Sequence, residues 1–140
     1  MGQIYTAECH ECNRIYNFDV GISRLYGSDK LLDLNSDFNL LKLFKEKNRK
    51  EELRQILERG KCELLDGYSH KIVICDRCKC MYSRFLFTLK EGDNEFSPKY
   101  LCHNCRRKLR ELTDHEILND IFQCQYCKNS IKFHKSGEWN

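Results

Sequence analysis

The sequence lacks the features of a membrane protein and of a chain with long linkers. It has one proline in 140 residues, and no apolar run approaches the roughly 20 residues that a membrane span requires. Pro98 stands alone, and no stretch rich in proline, glycine or serine separates two parts of the chain. The composition therefore indicates a soluble protein whose parts are packed together or closely joined.

Signals for export and for common catalytic chemistry are also missing. The N-terminal stretch MGQIYTAECHEC has no basic start followed by an apolar segment, so we expect a cytoplasmic protein. No P-loop, dinucleotide-binding fingerprint or dense carboxylate pair occurs. We therefore expect neither an enzyme, nor a small-molecule substrate, nor binding to a membrane.

Cysteine, by contrast, is abundant, with ten residues. Eight of them form four Cys-x-x-Cys turns, which we call knuckles 1 to 4: Cys9/Cys12, Cys75/Cys78, Cys102/Cys105 and Cys124/Cys127. In a reducing compartment such pairs are more typical of metal ligands than of disulfides. Because two knuckles complete one tetrahedron, these eight cysteines predict two structural four-cysteine sites for two Zn²⁺ ions, with iron as the competing metal.

The residues around the knuckles repeat as well. Apolar side chains stand two positions before the first cysteine and four after the second; they are Ala7, Val73, Tyr100 and Phe122, and Tyr16, Tyr82, Leu109 and Ile131. Each knuckle therefore joins two short extended arms that point an apolar residue toward a small core. This is the unit of a zinc ribbon.

Four half-sites can pair in three ways: sequential, nested or crossed. Between Cys105 and Cys124 lie 18 residues, within the usual spacing of a zinc site, which favours sequential pairing over a nested one with 23 residues between Cys78 and Cys102. The predicted fold is thus a small α+β metal-stabilised protein with two zinc ribbons. The first, residues 1–97, is interrupted by a short helical insertion at about residues 29–62, and the second is residues 98–140.

The insertion contains two apolar periodic stretches that predict two short helices. Asn48, three residues before Glu51, predicts a capping-box start, and Gly60 predicts a helix end. We expect the helices to pack on the first ribbon or to offer a groove to a protein partner. The stretch HKIVIC after them predicts a strand that enters knuckle 2.

The chain resembles zinc-ribbon proteins, and its layout resembles a group of uncharacterised bacterial zinc-ribbon proteins. The similar features are AECHEC, GISRLYG, a helical insertion, GYSHKIVICDRC and two further knuckles. The resemblance covers most of the chain and implies no activity. Many ribbons carry glycine after the second cysteine, whereas this chain has Asn13, Lys79, Arg106 and Lys128.

A closed site with four cysteine ligands leaves no position for substrate, so we expect structural zinc and a surface that binds a macromolecule. A protein-interaction adaptor is the preferred interpretation. The alternative is nucleic-acid binding through the basic residues Arg106, Arg107, Lys108 and Arg110. A second alternative is a thiol redox switch, because CKC followed by Cys102 and Cys105 resembles the CxC…CxxC zinc centre of a redox-regulated chaperone. The two remaining cysteines, Cys62 and Cys80, are then either plain small side chains or the reserve ligand of that switch. Among the aromatic residues, Tyr126 and Trp139 are the candidates for a contact surface.

Overall fold

A computed structural model describes residues 2–139 of the chain. The strands in this range are β1 Gly2–Glu8, β2 Ile15–Val20, β3 Glu63–Leu64, β4 Ser69–Ile74, β5 Met81–Leu86, β6 Leu89–Glu91, β7 Asn94–Phe96, β8 Arg110–Glu111, β9 Phe122–Gln123, β10 Ser130–Ile131 and β11 His134–Trp139. The helices are α1 Ser28–Leu32, α2 Leu40–Leu43, α3 Lys50–Arg59 and α4 Asp114–Asn119, with a 3-10 helix at Lys47–Arg49. The fold is a small α+β structure with short helices and several small sheets, as the sequence predicts.

The two ends of the described chain meet in one three-stranded antiparallel sheet, in the order β11–β1–β2. Strands β1 and β2 form a hairpin around knuckle 1, and β11 pairs with the other side of β1, so that Gly2 lies opposite Trp139. Knuckle 4 lies in the short β9–β10 hairpin that precedes β11. We call these five strands and knuckles 1 and 4 the outer unit.

The middle of the chain repeats this arrangement. Strands β4 and β5 form a hairpin around knuckle 2, and β8 pairs with the other side of β4, which gives the order β5–β4–β8. Knuckle 3 lies in a narrower hairpin that is closed by a bridge between Leu101 and Lys108. We call these three strands and knuckles 2 and 3 the inner unit. In sequence, the inner unit is inserted between the two halves of the outer unit.

The apolar positions that flank each knuckle face each other across its hairpin. The pairs are Ala7 with Tyr16, Val73 with Tyr82, Tyr100 with Leu109 and Phe122 with Ile131. Three of them are partners in antiparallel ladders, and in knuckle 3 a backbone hydrogen bond of 3.1 Å joins the two residues. The repeat in the sequence therefore reflects cross-strand contacts, which are the unit of sheet stabilisation.

Strand β4 carries apolar residues on both faces because it lies between two hydrophobic clusters. Val73 belongs to the cluster that contains the helices, whereas Ile72 and Ile74 belong to the cluster of the outer unit. A strand that is buried on both faces is typically a continuous apolar run, which explains the segment IVI. The outer and inner units are packed against each other, as the lack of a linker predicts.

The helical insertion packs on the inner unit and not on knuckle 1. Helix α3 buries Leu53, Ile56 and Leu57 in the cluster that also contains Phe85 and Phe87 of the inner hairpin. Phe85 and Phe87 lie within residues 1–97, so the helices pack on the segment predicted as the first ribbon, next to knuckle 2 and not knuckle 1. The reason is that the aromatic side chains that can cover these helices follow knuckle 2, where β5 ends.

The helix boundaries differ in part from the predicted ones. Asn48 lies in the 3-10 helix, and α3 has Arg49 at its N-cap with no side-chain capping bond, so the predicted capping box is wrong. A different asparagine, Asn39, is buried and accepts the Lys42 N–H at 3.2 Å to cap α2. Gly60 ends α3 with a left-handed φ of 66°, which confirms the predicted helix end.

Candidate metal centres

All four knuckles adopt the same turn. The N–H after each second cysteine donates to the carbonyl of the first cysteine, at 2.8 to 3.1 Å, and the first cysteine's N–H donates to the carbonyl two residues past the second. The residues that accept this second bond are Arg14, Cys80, Arg107 and Asn129, at 2.8 to 2.9 Å. Four identical turns show that each Cys-x-x-Cys pair is one structural module.

The residue after the second cysteine is left-handed in every knuckle, although none of the four is glycine. The φ angles are 60° for Asn13, 62° for Lys79, 64° for Arg106 and 66° for Lys128. This conformation costs roughly 1–2 kcal/mol for residues with a Cβ atom. The turn therefore keeps the geometry of a glycine-containing knuckle, and three cations occupy the strained position.

The eight predicted ligands lie in two groups of four. The outer centre contains Cys9, Cys12, Cys124 and Cys127, and the inner centre contains Cys75, Cys78, Cys102 and Cys105. In each group all four Sγ atoms lie within 4.8 Å of one another, and the closest pairs are separated by 3.2 to 3.7 Å. Metal–sulfur bonds of about 2.3 Å place tetrahedral sulfurs about 3.8 Å apart, so each group could hold one metal ion.

The predicted sequential pairing is wrong, because knuckle 1 pairs with knuckle 4 and knuckle 2 with knuckle 3. The cause is strand pairing: β11 brings knuckle 4 to β1, and β8 brings knuckle 3 to β4. The 18 residues between knuckles 3 and 4 instead hold β8 and α4. The predicted division into residues 1–97 and 98–140 followed from the sequential pairing, and it stays a prediction without that support.

Backbone N–H groups stabilise thiolates in both centres, at Cys102 in the inner one and at Cys124 and Cys127 in the outer one. Burial raises the pKa of Cys102, but the N–H groups of Cys105 and Asn104 outweigh this effect and bring the pKa to about 6. In the inner centre without metal, hydrogen bonds to the neighbouring thiols, that of Cys105 first, raise the pKa of Cys78 to about 12. Binding of a divalent metal ion therefore displaces protons from the remaining thiols.

Tyr16 is a buried partner of the outer centre that the ligand pattern does not reveal. Its hydroxyl lies 3.0 Å from Cys124 Sγ and accepts the Gln125 N–H at 3.1 Å. When Cys124 is ionised its sulfur can only accept, so the hydroxyl then donates to the thiolate. Burial and this contact raise the pKa of Tyr16 to about 12. Tyr82 holds the matching position beside Cys102, where burial raises its pKa. The signal in the sequence is the tyrosine four residues after Cys12 and after Cys78.

The two remaining cysteines lie outside both groups. Cys80 is 8% exposed, and its Sγ accepts a hydrogen bond from Asn104 Nδ2 at 3.3 Å. Burial raises the pKa of Cys80, and burial also raises the pKa of Cys62 in the insertion. Of the three cysteines in CDRCKC, Cys75 and Cys78 therefore belong to the inner centre, as the Cys-x-x-Cys spacing predicts, and Cys80 lies beside it.

The basic run is divided into two parts. Arg110 forms ion pairs with Asp76 at 3.1 Å and with Glu116 at 2.8 Å, and these partners raise its pKa. Arg106, Arg107 and Lys108 are exposed and make no ion pair within residues 2–139. The predicted four-residue patch therefore has three available cations. The partner Asp76 lies inside knuckle 2, which the linear sequence places far from the run.

The two aromatic candidates for a contact surface differ in environment. Trp139 is half-buried, donates from Nε1 to the Val20 carbonyl at 3.2 Å and packs against His70 at 5.5 Å between ring centroids. Tyr126 is 63% exposed at the tip of knuckle 4. Trp139 thus ties β11 to the sheet, and only Tyr126 remains available for contact.

Comparison of this chain with protein-family models, with curated proteins and with solved structures finds no match. None of the helices within residues 2–139 has the length and apolar character needed to cross a membrane.

Proposed function

We propose that the chain is a non-catalytic protein with two zinc ribbons, each built around one structural Zn²⁺ ion. The observation that carries this proposal is the grouping of eight thiols into two sets of four, with distances that suit tetrahedral zinc. Cysteine thiolates remain available for metal in a reducing compartment, so the proposal places the protein in the cytoplasm.

Each centre uses all four of its thiols as ligands. A full tetrahedron has no open position for water or substrate, and such sites stabilise structure. Structural zinc contributes about 10–16 kcal/mol of binding free energy in small peptides, which is as large as the whole stability of a typical domain. Metal removal should therefore unfold both units, which circular dichroism in the presence of a strong chelator measures.

The preferred role of the two ribbons is to hold a rigid surface for another protein. Several large apolar side chains support this role because they are exposed on units that zinc makes rigid; the most exposed are Ile121 at 69%, Tyr126 at 63% and Ile15 at 59%. Affinity capture with the zinc-loaded chain tests the proposal. A stoichiometric protein partner that is released on metal removal is expected, and a monomer that captures no protein would contradict it.

A second candidate is nucleic-acid binding through knuckle 3. The observation in its favour is that Arg106, Arg107 and Lys108 have no acidic partner among residues 2–139, whereas Arg110 is already paired. Binding to DNA or RNA should weaken steeply with salt. In a plot of the logarithm of the binding constant against the logarithm of the salt concentration, replacing the three free cations with alanine should make the slope less steep by about 0.9 for each phosphate that the variant no longer neutralises. Absent or salt-independent binding rules this candidate out.

A redox switch is the third candidate because Cys80 lies beside the inner centre as a fifth thiol. Peroxide would oxidise Cys80 together with a ligand cysteine to a disulfide, and the loss of one ligand would release the metal ion. Zinc content that peroxide leaves unchanged excludes this candidate.

A further inference from the structure

A groove of about 530 Å³ lies next to the outer centre, where β2 meets the tip of knuckle 4. It is lined by Tyr16, Phe18 and Met81, which are buried or half-buried and which we call its floor. The exposed lining residues Ile15 and Tyr126 we call its walls. Met81 comes from the inner unit, so the groove spans the contact between the two units. Both walls belong to elements that the outer metal centre holds in place.

The walls of the groove are apolar and exposed. Ile15 is 59% exposed and Tyr126 is 63% exposed, which makes them two of the most exposed large apolar side chains among residues 2–139. Neither side chain contributes to the buried clusters. Paired exposed apolar residues around a concave surface are typical of a binding site for a protein.

Arg14 is the one charged side chain in the lining of the groove within residues 2–139. The Cζ atom of its guanidinium group lies 3.5 Å from the centroid of the Tyr126 ring, so the two planar groups are in contact. In the described part of the chain this guanidinium makes no ion pair and donates no hydrogen bond. A planar guanidinium group that an aromatic ring holds in place keeps its N–H edges available for a carboxylate.

We propose that this groove binds a peptide segment of a partner protein in which a carboxylate stands next to an aliphatic or aromatic side chain. The carboxylate would accept two hydrogen bonds from Arg14, and the apolar side chain would lie between Ile15 and Tyr126. The inference rests on the proposed adaptor function and assigns its contact surface. Since four thiolates around Zn²⁺ leave a net charge of about −2, an anion at this face needs a nearby cation, and Arg14 supplies one in the lining of the groove.

The geometry favours a peptide over a nucleic acid. Arg14 covers one face of the Tyr126 ring, which leaves that face unavailable for stacking a base. The other wall and part of the floor are aliphatic or thioether groups, Ile15 and Met81. A single cation also cannot neutralise the several phosphates that dominate nucleic-acid affinity.

The test selects short random peptides from a display library on the full-length, zinc-loaded chain. The selected sequences should combine Asp or Glu with a neighbouring Leu, Ile, Phe or Met. For one synthesised binder, the variant Arg14→Ala should lower affinity about tenfold or more, since a hydrogen-bonded charge is removed. Arg14→Lys should also weaken binding, because lysine keeps the charge but lacks the planar fork.

Two matched controls separate the groove from general surface effects. Lys132→Ala removes an exposed cation elsewhere on the outer unit, and Leu25→Ser removes an exposed apolar side chain outside the groove. Both should leave peptide affinity unchanged, whereas Ile15→Ser should lower it. All variants are checked for two bound zinc ions, so that loss of fold is not read as loss of binding.

Several results would overturn the inference. They are a selection that yields no binder or only basic binders, equal affinity of the wild type and Arg14→Ala, and a single-stranded oligonucleotide that binds in an Arg14-dependent way. If a captured partner protein still binds the Arg14→Ala variant at full affinity, the groove assignment fails while the adaptor function stands. If no partner protein is captured at all, the adaptor function fails.

Discussion

Removing one hydroxyl group beside the outer centre tests whether hydrogen bonding to the thiolates matters for metal affinity. Tyr16→Phe keeps the aromatic ring in its buried position but deletes the group that lies 3.0 Å from Cys124 Sγ. A hydrogen bond to a charged group contributes about 1.5–3 kcal/mol. The Gln125 N–H also loses its acceptor at 3.1 Å, which places the cost at the upper end of this range.

Since each 1.4 kcal/mol corresponds to about a tenfold change in affinity, we expect roughly 100-fold weaker zinc binding at the outer centre. Competition with a chelating dye measures this, and the inner centre should be unaffected. Tyr5→Phe is the matched control, because Tyr5 is buried in the same cluster, and burial and then the Asp114 carboxylate, not a thiol, raise the pKa of its hydroxyl. Unchanged zinc affinity in Tyr16→Phe, or an equal loss in Tyr5→Phe, would show that the Tyr16 hydroxyl does not stabilise the metal-bound thiolate.

Three further changes give separate outcomes. Cys80→Ser should retain two zinc ions and Cys78→Ser only one, as measured by native mass spectrometry, because only Cys78 belongs to a four-thiol group; equal zinc content would contradict the assignment. At Lys128, where φ is 66°, the variant Lys128→Gly should have a free energy of unfolding in urea about 1 kcal/mol higher than that of Lys128→Ala. At Arg54 inside α3, Arg54→Ala should instead be the more stable of the two corresponding variants. The same order at both sites would contradict the left-handed turn. Leu53→Ala should lower the free energy of unfolding by about 2–5 kcal/mol because Leu53 is fully buried between α3 and the inner unit; a decrease below about 1 kcal/mol would place α3 elsewhere.

Local sequence patterns predict the parts of the fold that depend on neighbouring residues. The spacing of two residues between cysteines and the apolar positions at fixed distances predict each knuckle and its hairpin, because the turn and its cross-strand pair lie within a few residues. The flanking pairs, such as Ala7 with Tyr16, confirm this. The left-handed conformation of Lys79, Arg106 and Lys128 could not be predicted, since lysine and arginine carry no preference for it, whereas Asn13 is of a type that tolerates it.

The pairing of the knuckles could not be predicted because it depends on contacts between distant parts of the chain. The partner of knuckle 1 is fixed by β11, which pairs with β1 across more than a hundred residues of sequence. A spacing rule considers only the length of the loop between ligands. It cannot account for α4 and β8, which occupy the interval between knuckles 3 and 4.

Capping signals show a similar limit. The sequence contains Thr113 followed three residues later by Glu116, and this pair forms a full capping box at the start of α4. The weaker signal at Asn48 predicted a capping box that does not form, because Asn48 lies in the 3-10 helix that leads into α3. The asparagine that does cap a helix is Asn39, at the start of α2. Its burial could not be predicted from the local sequence pattern.

The two centres differ in the length of chain that each one closes into a loop. The ligands of the inner centre span residues 75–105, whereas those of the outer centre enclose 111 residues between Cys12 and Cys124. Closing a longer loop costs more conformational entropy, although the cost grows only with the logarithm of its length. Formation of the outer centre therefore carries the larger loop-closure cost.

The most direct test of the account is to map reactive thiols after removal of one ligand. The wild type should contain two zinc ions, and the variant Cys124→Ser should contain one. In that variant a thiol-alkylating reagent followed by peptide mass spectrometry should label the other three cysteines of the outer centre, Cys9, Cys12 and Cys127, and leave the four cysteines of the inner centre protected. Labelling of Cys102 and Cys105, with Cys9 and Cys12 protected, would contradict the nested pairing.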